Sequence, residues 1–254
     1  MTRLLRTAII CTIFTTTVLH ADYETFNIFG GIAAGFGTGG ELFRSQNTTS
    51  ASTEITDRFF NYGSGLKFDL GCQYFMMDKV ALQGSIFYSA GVPAFKEENI
   101  SAAFTQTTTY GFGMWGLRVL VVPKFQVLDL LDTYVGVGTG LCFSSRSFEI
   151  TRKSTNATQN AKGSISSSPS LGFSGIFGVD YPLNDKATLF GEMGFEEISF
   201  SLSKYKVKES NIPGITGGTV VNYEKNATGT NNYPPEKVPG SNFQLHFGIR
   251  YALF

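Results

Sequence analysis

The C-terminal stretch SNFQLHFGIRYALF constrains the fold more than any other part of this chain. Its odd positions are Phe243, Leu245, Phe247, Ile249, Tyr251 and Leu253, and its even positions are Gln244, His246, Gly248, Arg250, Ala252 and Phe254. Side chains alternate between the two faces of a strand, so one face is wholly apolar and the other polar or small, the terminal Phe254 apart. Such an unbroken apolar row is long for a half-buried strand of a soluble sandwich.

The pattern recurs. Leu66, Phe68 and Leu70 alternate with Lys67, Asp69 and Gly71. Val80, Leu82, Ile86 and Tyr88 oppose Ala81, Gln83, Ser85 and Phe87. Trp115, Leu117, Val119 and Val121 oppose Arg118, and Val135, Val137, Thr139, Leu141 and Phe143 oppose Gly136, Gly138, Gly140 and Cys142. Leu171, Phe173, Phe177, Val179 and Tyr181 oppose Gly172, Ser174 and Asp180. The run ATLFGEMGFEEISFSL keeps the alternation only with a parity slip near Glu196-Glu197, which predicts a bulge. Eight strands follow, near residues 25–37, 62–76, 79–91, 107–122, 133–144, 169–181, 187–202 and 241–254. Short connections (Met77-Asp78, Pro123 to Asp132, Pro182 to Lys186) alternate with long Ser-, Thr-, Asn- and Gly-rich ones at 38–61, 92–106, 145–168 and 203–240.

Charged residues make up 16% of the chain, against about 25% in ordinary soluble proteins, while aromatics reach 14% and glycine 29 residues. No segment after the N-terminal region offers the ~18 apolar residues of a spanning helix. The richest run, Met114 to Val122, contains Arg118 and stops at Pro123 and Lys124. A soluble barrel would turn its apolar stripe inward. Here the lone charges sit opposite a larger apolar set, which predicts lipid outside and a polar lumen. The expected fold class is therefore all-β: an up-and-down antiparallel transmembrane β-barrel of eight strands, with ten as the alternative, seated in outer-membrane lipid.

Residues 1–21 read as a signal peptide: Arg3 and Arg6, then a short apolar stretch from Ala8 to Leu19, then Leu19-His20-Ala21 as a cleavage site. Residues 22–254 form one barrel domain. Without Arg3 and Arg6 the 20 basic residues fall to 18 against 20 acidic, a net charge near −2, which gives no support to a nucleic-acid partner. Cys72 shares parity with Leu66 and Leu70 and should face lipid, whereas Cys142 should face the lumen, so the two should not bond.

Lys67, Asp69, Arg118, Glu192 and Arg250 all fall on the lumen face. Arg118, Glu192 and Arg250 are expected at similar depth, Lys67 and Asp69 somewhat higher, with Glu192 meeting Arg250, Arg118 or both. The expected role is a salt-bridged plug, since eight strands leave little more than room for side chains; a gated ion path is the alternative. A lipid-cleaving enzyme would need a serine and a histidine on the outer wall, but His246, the one histidine after the leader, faces inward by parity. One histidine and two separated cysteines make a poor metal site, and no cofactor is expected. Tyr74, Tyr88, Trp115, Tyr181 and Tyr251 are candidate interface aromatics, while Tyr134 faces inward. Within 203–240, YKVKE and TVVNYEK flank NIPGITGG and suggest a hairpin standing above the membrane.

The sequence resembles the OmpA/OmpX-type eight-stranded outer-membrane barrels. The most specific local element is HFGIRYAL: His246, Gly248, Tyr251 and Leu253, closed by the aromatic Phe254, match that family's assembly signal, with one residue following the matching stretch. The resemblance implies export to the cell outer membrane and insertion by the barrel-assembly machinery. It does not name a function. The expectation is a structural or surface-interaction (adhesin-like) protein, not an enzyme, that meets a surface or host ligand through loops 38–61, 145–168 and 203–240. A narrow porin-like channel for small solutes is the alternative.

Overall fold

The structure, a computed structural model, describes residues 26–48, 53–77, 79–91, 95–101, 103–128, 131–223, 232–233 and 237–253. Residues 1–25, which include the expected signal peptide, and Phe254 lie outside the described residues. Those residues form β1 (Phe26–Gly37), β2 (Glu41–Thr48), β3 (Thr53–Phe60), β4 (Gly65–Met77), β5 (Val80–Ala90), β6 (Phe95–Ile100), β7 (Thr105–Leu128), β8 (Leu131–Lys153), β9 (Thr158–Ser167), β10 (Ser170–Pro182), β11 (Ala187–Glu197), β12 (Ser199–Ser210), β13 (Val220–Tyr223), β14 (Asn232–Tyr233), β15 (Lys237–Pro239) and β16 (Asn242–Ala252). None of them is helical.

Eight of these strands close on themselves. The antiparallel order runs β1, β4, β5, β7, β8, β10, β11 and β16, and β16 returns to β1 with Ile32 opposite Phe247. Closure leaves the wall without a free sheet edge, as a sheet in lipid requires. The alternation in sequence becomes a two-faced wall. Ile32, Phe68, Leu70, Leu117, Phe177 and Phe247 are exposed outward, while Lys67, Asp69, Gln83, Arg118, Glu192 and Arg250 are buried inward. Cys72 lies on the outer side of β4, half-buried, and Cys142 is buried in the lumen; both thiols are free.

On one side the wall continues far beyond the membrane. β7 has 24 residues and β8 has 23, each about 80 Å long at about 3.3 Å per residue, whereas ~9–11 tilted residues cross a bilayer. β9 pairs the upper half of β8, from Ser145↔Ser166 to Lys153↔Thr158, and β12 in turn pairs β9. β13 turns back onto β12 with Tyr205 opposite Val221, which is the hairpin foreseen between YKVKE and TVVNYEK. Much of 145–168 and 203–240, expected as loop, is therefore sheet. The polar Ser- and Thr-rich composition suggested loop, yet Thr is a good strand residue wherever one face can be buried.

The expected slip at Glu196-Glu197 is absent. Glu192, Glu196, Ile198, Phe200 and Leu202 are all buried, so parity runs unbroken from β11 into β12 despite the one-residue gap at Ile198. What changes is the surroundings. Lower on the wall, Leu189, Met193 and Phe195 face out to lipid; higher up, Ser199 faces out while Phe200 and Leu202 face in. β8 changes in the same way, from outward Leu141 and inward glycines to outward Ser145, Ser147 and Glu149 with Phe148 inside. The hydrophobic pattern inverts because water replaces lipid outside and an apolar core replaces the polar lumen inside. The register slips lie later, between Leu202 and Lys204 and between Val207 and Glu209.

Candidate functional site

The lumen is built from inward positions on the eight wall strands, and its charges fall into two layers. In the layer nearer the short turns, Arg250 on β16 donates from Nη2 to Glu192 Oε1 and to the Tyr134 hydroxyl, each at 2.8 Å, and from Nη1 to Asp180 Oδ1. Tyr134 donates to the same Glu192 oxygen at 2.8 Å, and His246 Nδ1 lies 2.9 Å from Glu192 Oε2. Lys124 holds the second oxygen of Asp180 at 2.7 Å. In the layer above, Lys67 donates to Glu196 at 2.5 Å and to Gln244 at 3.2 Å. Arg118 donates to Asp69 and, at 3.4 Å, to Glu196, whose other oxygen accepts from Asn242 at 3.2 Å.

The four cations Lys67, Arg118, Lys124 and Arg250 are thus matched by the four carboxylates Asp69, Asp180, Glu192 and Glu196. An unpaired charge in so narrow a space would be prohibitively costly, whereas matched ion pairs with extra hydrogen bonds are tolerable. Aromatic faces complete the packing. Lys67 sits 3.8 Å from the centre of the Phe87 ring, and the Arg250 guanidinium 4.4 Å and 4.6 Å from those of Phe190 and Tyr134. Gly31 makes room for the histidine: a Cβ there would lie 2.3 Å from His246 Nε2 and 2.7 Å from the Phe247 carbonyl.

Of the five lumen residues read from the sequence, Glu192 and Arg250 meet directly. Arg118 does not join them. It belongs with Lys67 and Asp69 in the other layer, a correction to the equal depth expected for it; counting residues from strand ends ignores the stagger between tilted neighbours. Asp180 and Tyr134 were legible as inward by parity but not as partners. Glu196 was hidden by the supposed slip. Gly248 and Tyr251 lie at the lower end of β16, with Tyr251 facing out, and Leu253 just follows it. His246 shares that stretch of sequence but faces the lumen on Glu192, away from the outer wall where a lipid-cleaving serine–histidine pair would stand.

Two apolar clusters pack against the ion-pair layers. Ala81, Leu120, Val122, Tyr134 and Ile176 form one beside the lower layer, with Lys124 and Asp180 nearer the short turns. Toward the platform, Phe87, Met114 and Cys142 merge with Phe112, Phe148, Ile198, Phe200, Leu202 and Val238. Tyr62, from the segment between β3 and β4, caps this cluster with its ring edge-on to Phe112 at 5.5 Å and its backbone NH donating to the Pro239 carbonyl at 3.2 Å.

Outside, aromatic side chains mark the upper edge of the apolar band. Trp115 stacks on Phe143 of the next strand at 4.2 Å and pairs in register with Tyr88, which pairs with Phe68. Tyr181 and Tyr251 face out near the lower edge. A closed antiparallel wall, an apolar band edged by aromatics and a polar interior occur together in one setting. The chain is an eight-stranded outer-membrane β-barrel.

The chain matches no family model, and no curated protein matches it. Among solved structures it is similar to the Neisserial surface protein A, at 12% identity over 90% of this chain and 97% of that one, with a TM-score of 0.45. It is similar to the outer membrane protein OprG from Pseudomonas aeruginosa, at 12% identity over 90% and 95%, with a TM-score of 0.46. It is also similar to Ail, the attachment invasion locus protein of Yersinia pestis, at 14% identity over 90% and 99%, with a TM-score of 0.32.

Proposed function

We propose that this barrel is a closed anchor that holds a rigid β-sheet platform above the cell surface for interaction with a partner there. One observation carries the reading: Lys67, Arg118, Lys124 and Arg250 are each paired with a carboxylate in the lumen, apolar clusters fill the space around these ion pairs, and the ordered wall continues well past the membrane instead of stopping at it. A solute path would need open space along the axis. Instead the axis holds Arg118, Tyr134, Met114 and Leu120, all buried almost completely. The lumen cluster therefore acts as a plug, and the platform formed by β7, β8, β9, β12 and β13 is the working surface. The filled lumen favours this reading over a narrow channel.

Planar-bilayer recording of the purified protein tests it. The expected result is no stable current above the membrane background. Reproducible single-channel steps that persist across preparations would make the protein a channel and end the anchor reading.

A further inference from the structure

The platform bears one concentration of charge that no described residue neutralises. Lys204, Lys206 and Lys208 on β12 are all exposed on its outer face. Alternate strand residues stand about 6.6 Å apart, so Lys204 and Lys206 stand side by side, and Lys208, at the bulge between Val207 and Glu209, continues the ladder of like charges. Lysines often guard sheet edges, but that explanation fails here. At Lys204 and Lys206, β12 is an inner strand, paired with β9 on one side and β13 on the other. Their partners on β9, Ser166 and Ser164, carry no counter-charge, and Val220 opposite Lys206 carries none either. Among the described residues none of the three lysines has an ion pair. Glu209, next along the strand, is taken by Lys162 at 2.8 Å, a hydrogen bond that raises the Lys162 pKa. Like charges on one face of a sheet are unfavourable, so this arrangement does not arise from folding. The near-zero net charge of the chain concealed it.

The height of the ladder narrows the partner. Phe195, the last lipid-facing aromatic on the same continuous strand path, is about nine residues below Lys204, roughly 20 Å for a strand tilted about 40°. The ladder is therefore out of reach of the membrane's own headgroups. Its surface offers hydroxyls from Ser164 and Ser166 and, among the residues whose side chains are described, no stacking ring, since Tyr205 turns inward onto Phe148 at 4.9 Å. A single-stranded nucleic acid would want aromatic faces for its bases. We propose that the Lys204–Lys206–Lys208 ladder binds an acidic polysaccharide, its lysines on the sulfate or carboxylate groups and its serines on the sugar hydroxyls. The inference rests on the platform reading above and names its partner.

The test uses the full-length barrel refolded in detergent, with dextran sulfate as the probe and uncharged dextran as control. The triple variant Lys204→Gln, Lys206→Gln, Lys208→Gln should lose at least tenfold in affinity. Lys79→Gln, near the short turns, should match the parent, and binding by the parent should weaken steeply as salt screens the charges. Equal binding by the triple variant and the parent would overturn the proposal, as would equal binding of uncharged dextran. Tighter binding of oligothymidylate, or binding only to vesicles containing anionic lipid, would overturn the assigned class of partner. A barrel that conducts yet still binds dextran sulfate through the ladder would sink the closed-anchor reading alone. A silent barrel that ignores dextran sulfate would sink this inference alone.

Discussion

Glu192 is the residue on which the lower lumen layer turns. It accepts from Tyr134, Arg250 and His246 at 2.8–2.9 Å. Glu192→Gln keeps the volume but removes the charge that balances Arg250. Breaking one side of a buried ion pair costs about 3–5 kcal/mol, because the partner charge stays buried. Asp180 still holds the other end of Arg250, so the expected loss is near the lower figure. Urea unfolding of the refolded barrel, followed by tryptophan fluorescence or gel mobility, measures it. Parent-like stability would mean that Arg250 relies on Asp180 alone.

Individual strands differ in how far they could be read from sequence. Those wholly within lipid, β4, β5, β10 and β16, were legible because lipid outside and a polar lumen inside make the two faces chemically distinct along their whole length. β11 and β12 were read as one strand with a slip, since an apolar face that changes sides looks like a register error when the solvent is assumed constant. β9 was missed because its outward face is Ser, Lys and Asn and only Ala161 and Ile165 supply buried apolar side chains larger than hydrogen. Two expected outcomes follow for these elements. Phe200 is fully buried in the upper cluster, so Phe200→Ala should cost about 3–5 kcal/mol, while Phe195→Ala, on the lipid face, should cost clearly less; a slipped register would reverse that order. On β16, deletion of Phe254, or Tyr251→Asp, should lower the amount of heat-modifiable barrel recovered in the outer-membrane fraction. Parent-like recovery of both variants would remove the assembly role from this end of the chain.

Over the whole molecule, the inversion of the hydrophobic pattern fixes where the membrane ends, and that height can be measured without a ligand. On β8, Val137 and Leu141 face out within the apolar band, Phe143 stacks with Trp115 at its edge, and Ser147 and Glu149 face out above it. Neighbouring strands agree. Met114 and Phe112 turn inward just above Trp115 on β7, and Phe200 does so above Phe195 on β11 and β12. Single cysteines placed at Val137, Leu141, Ser147 and Glu149 therefore report one boundary. Cys72, on the outer side of β4, is replaced by Ala in this background; Cys142 can stay, because it is buried in the lumen. A membrane-impermeant maleimide applied to intact cells should label the cysteines at Ser147 and Glu149 and spare those at Val137 and Leu141. Labelling at Ser147 and Glu149 only after the cells are opened would mean that the platform faces the periplasm and the barrel is inserted the other way up. Labelling at Leu141 on intact cells would lower the boundary by at least one pleat and remove Trp115 and Phe143 from the interface.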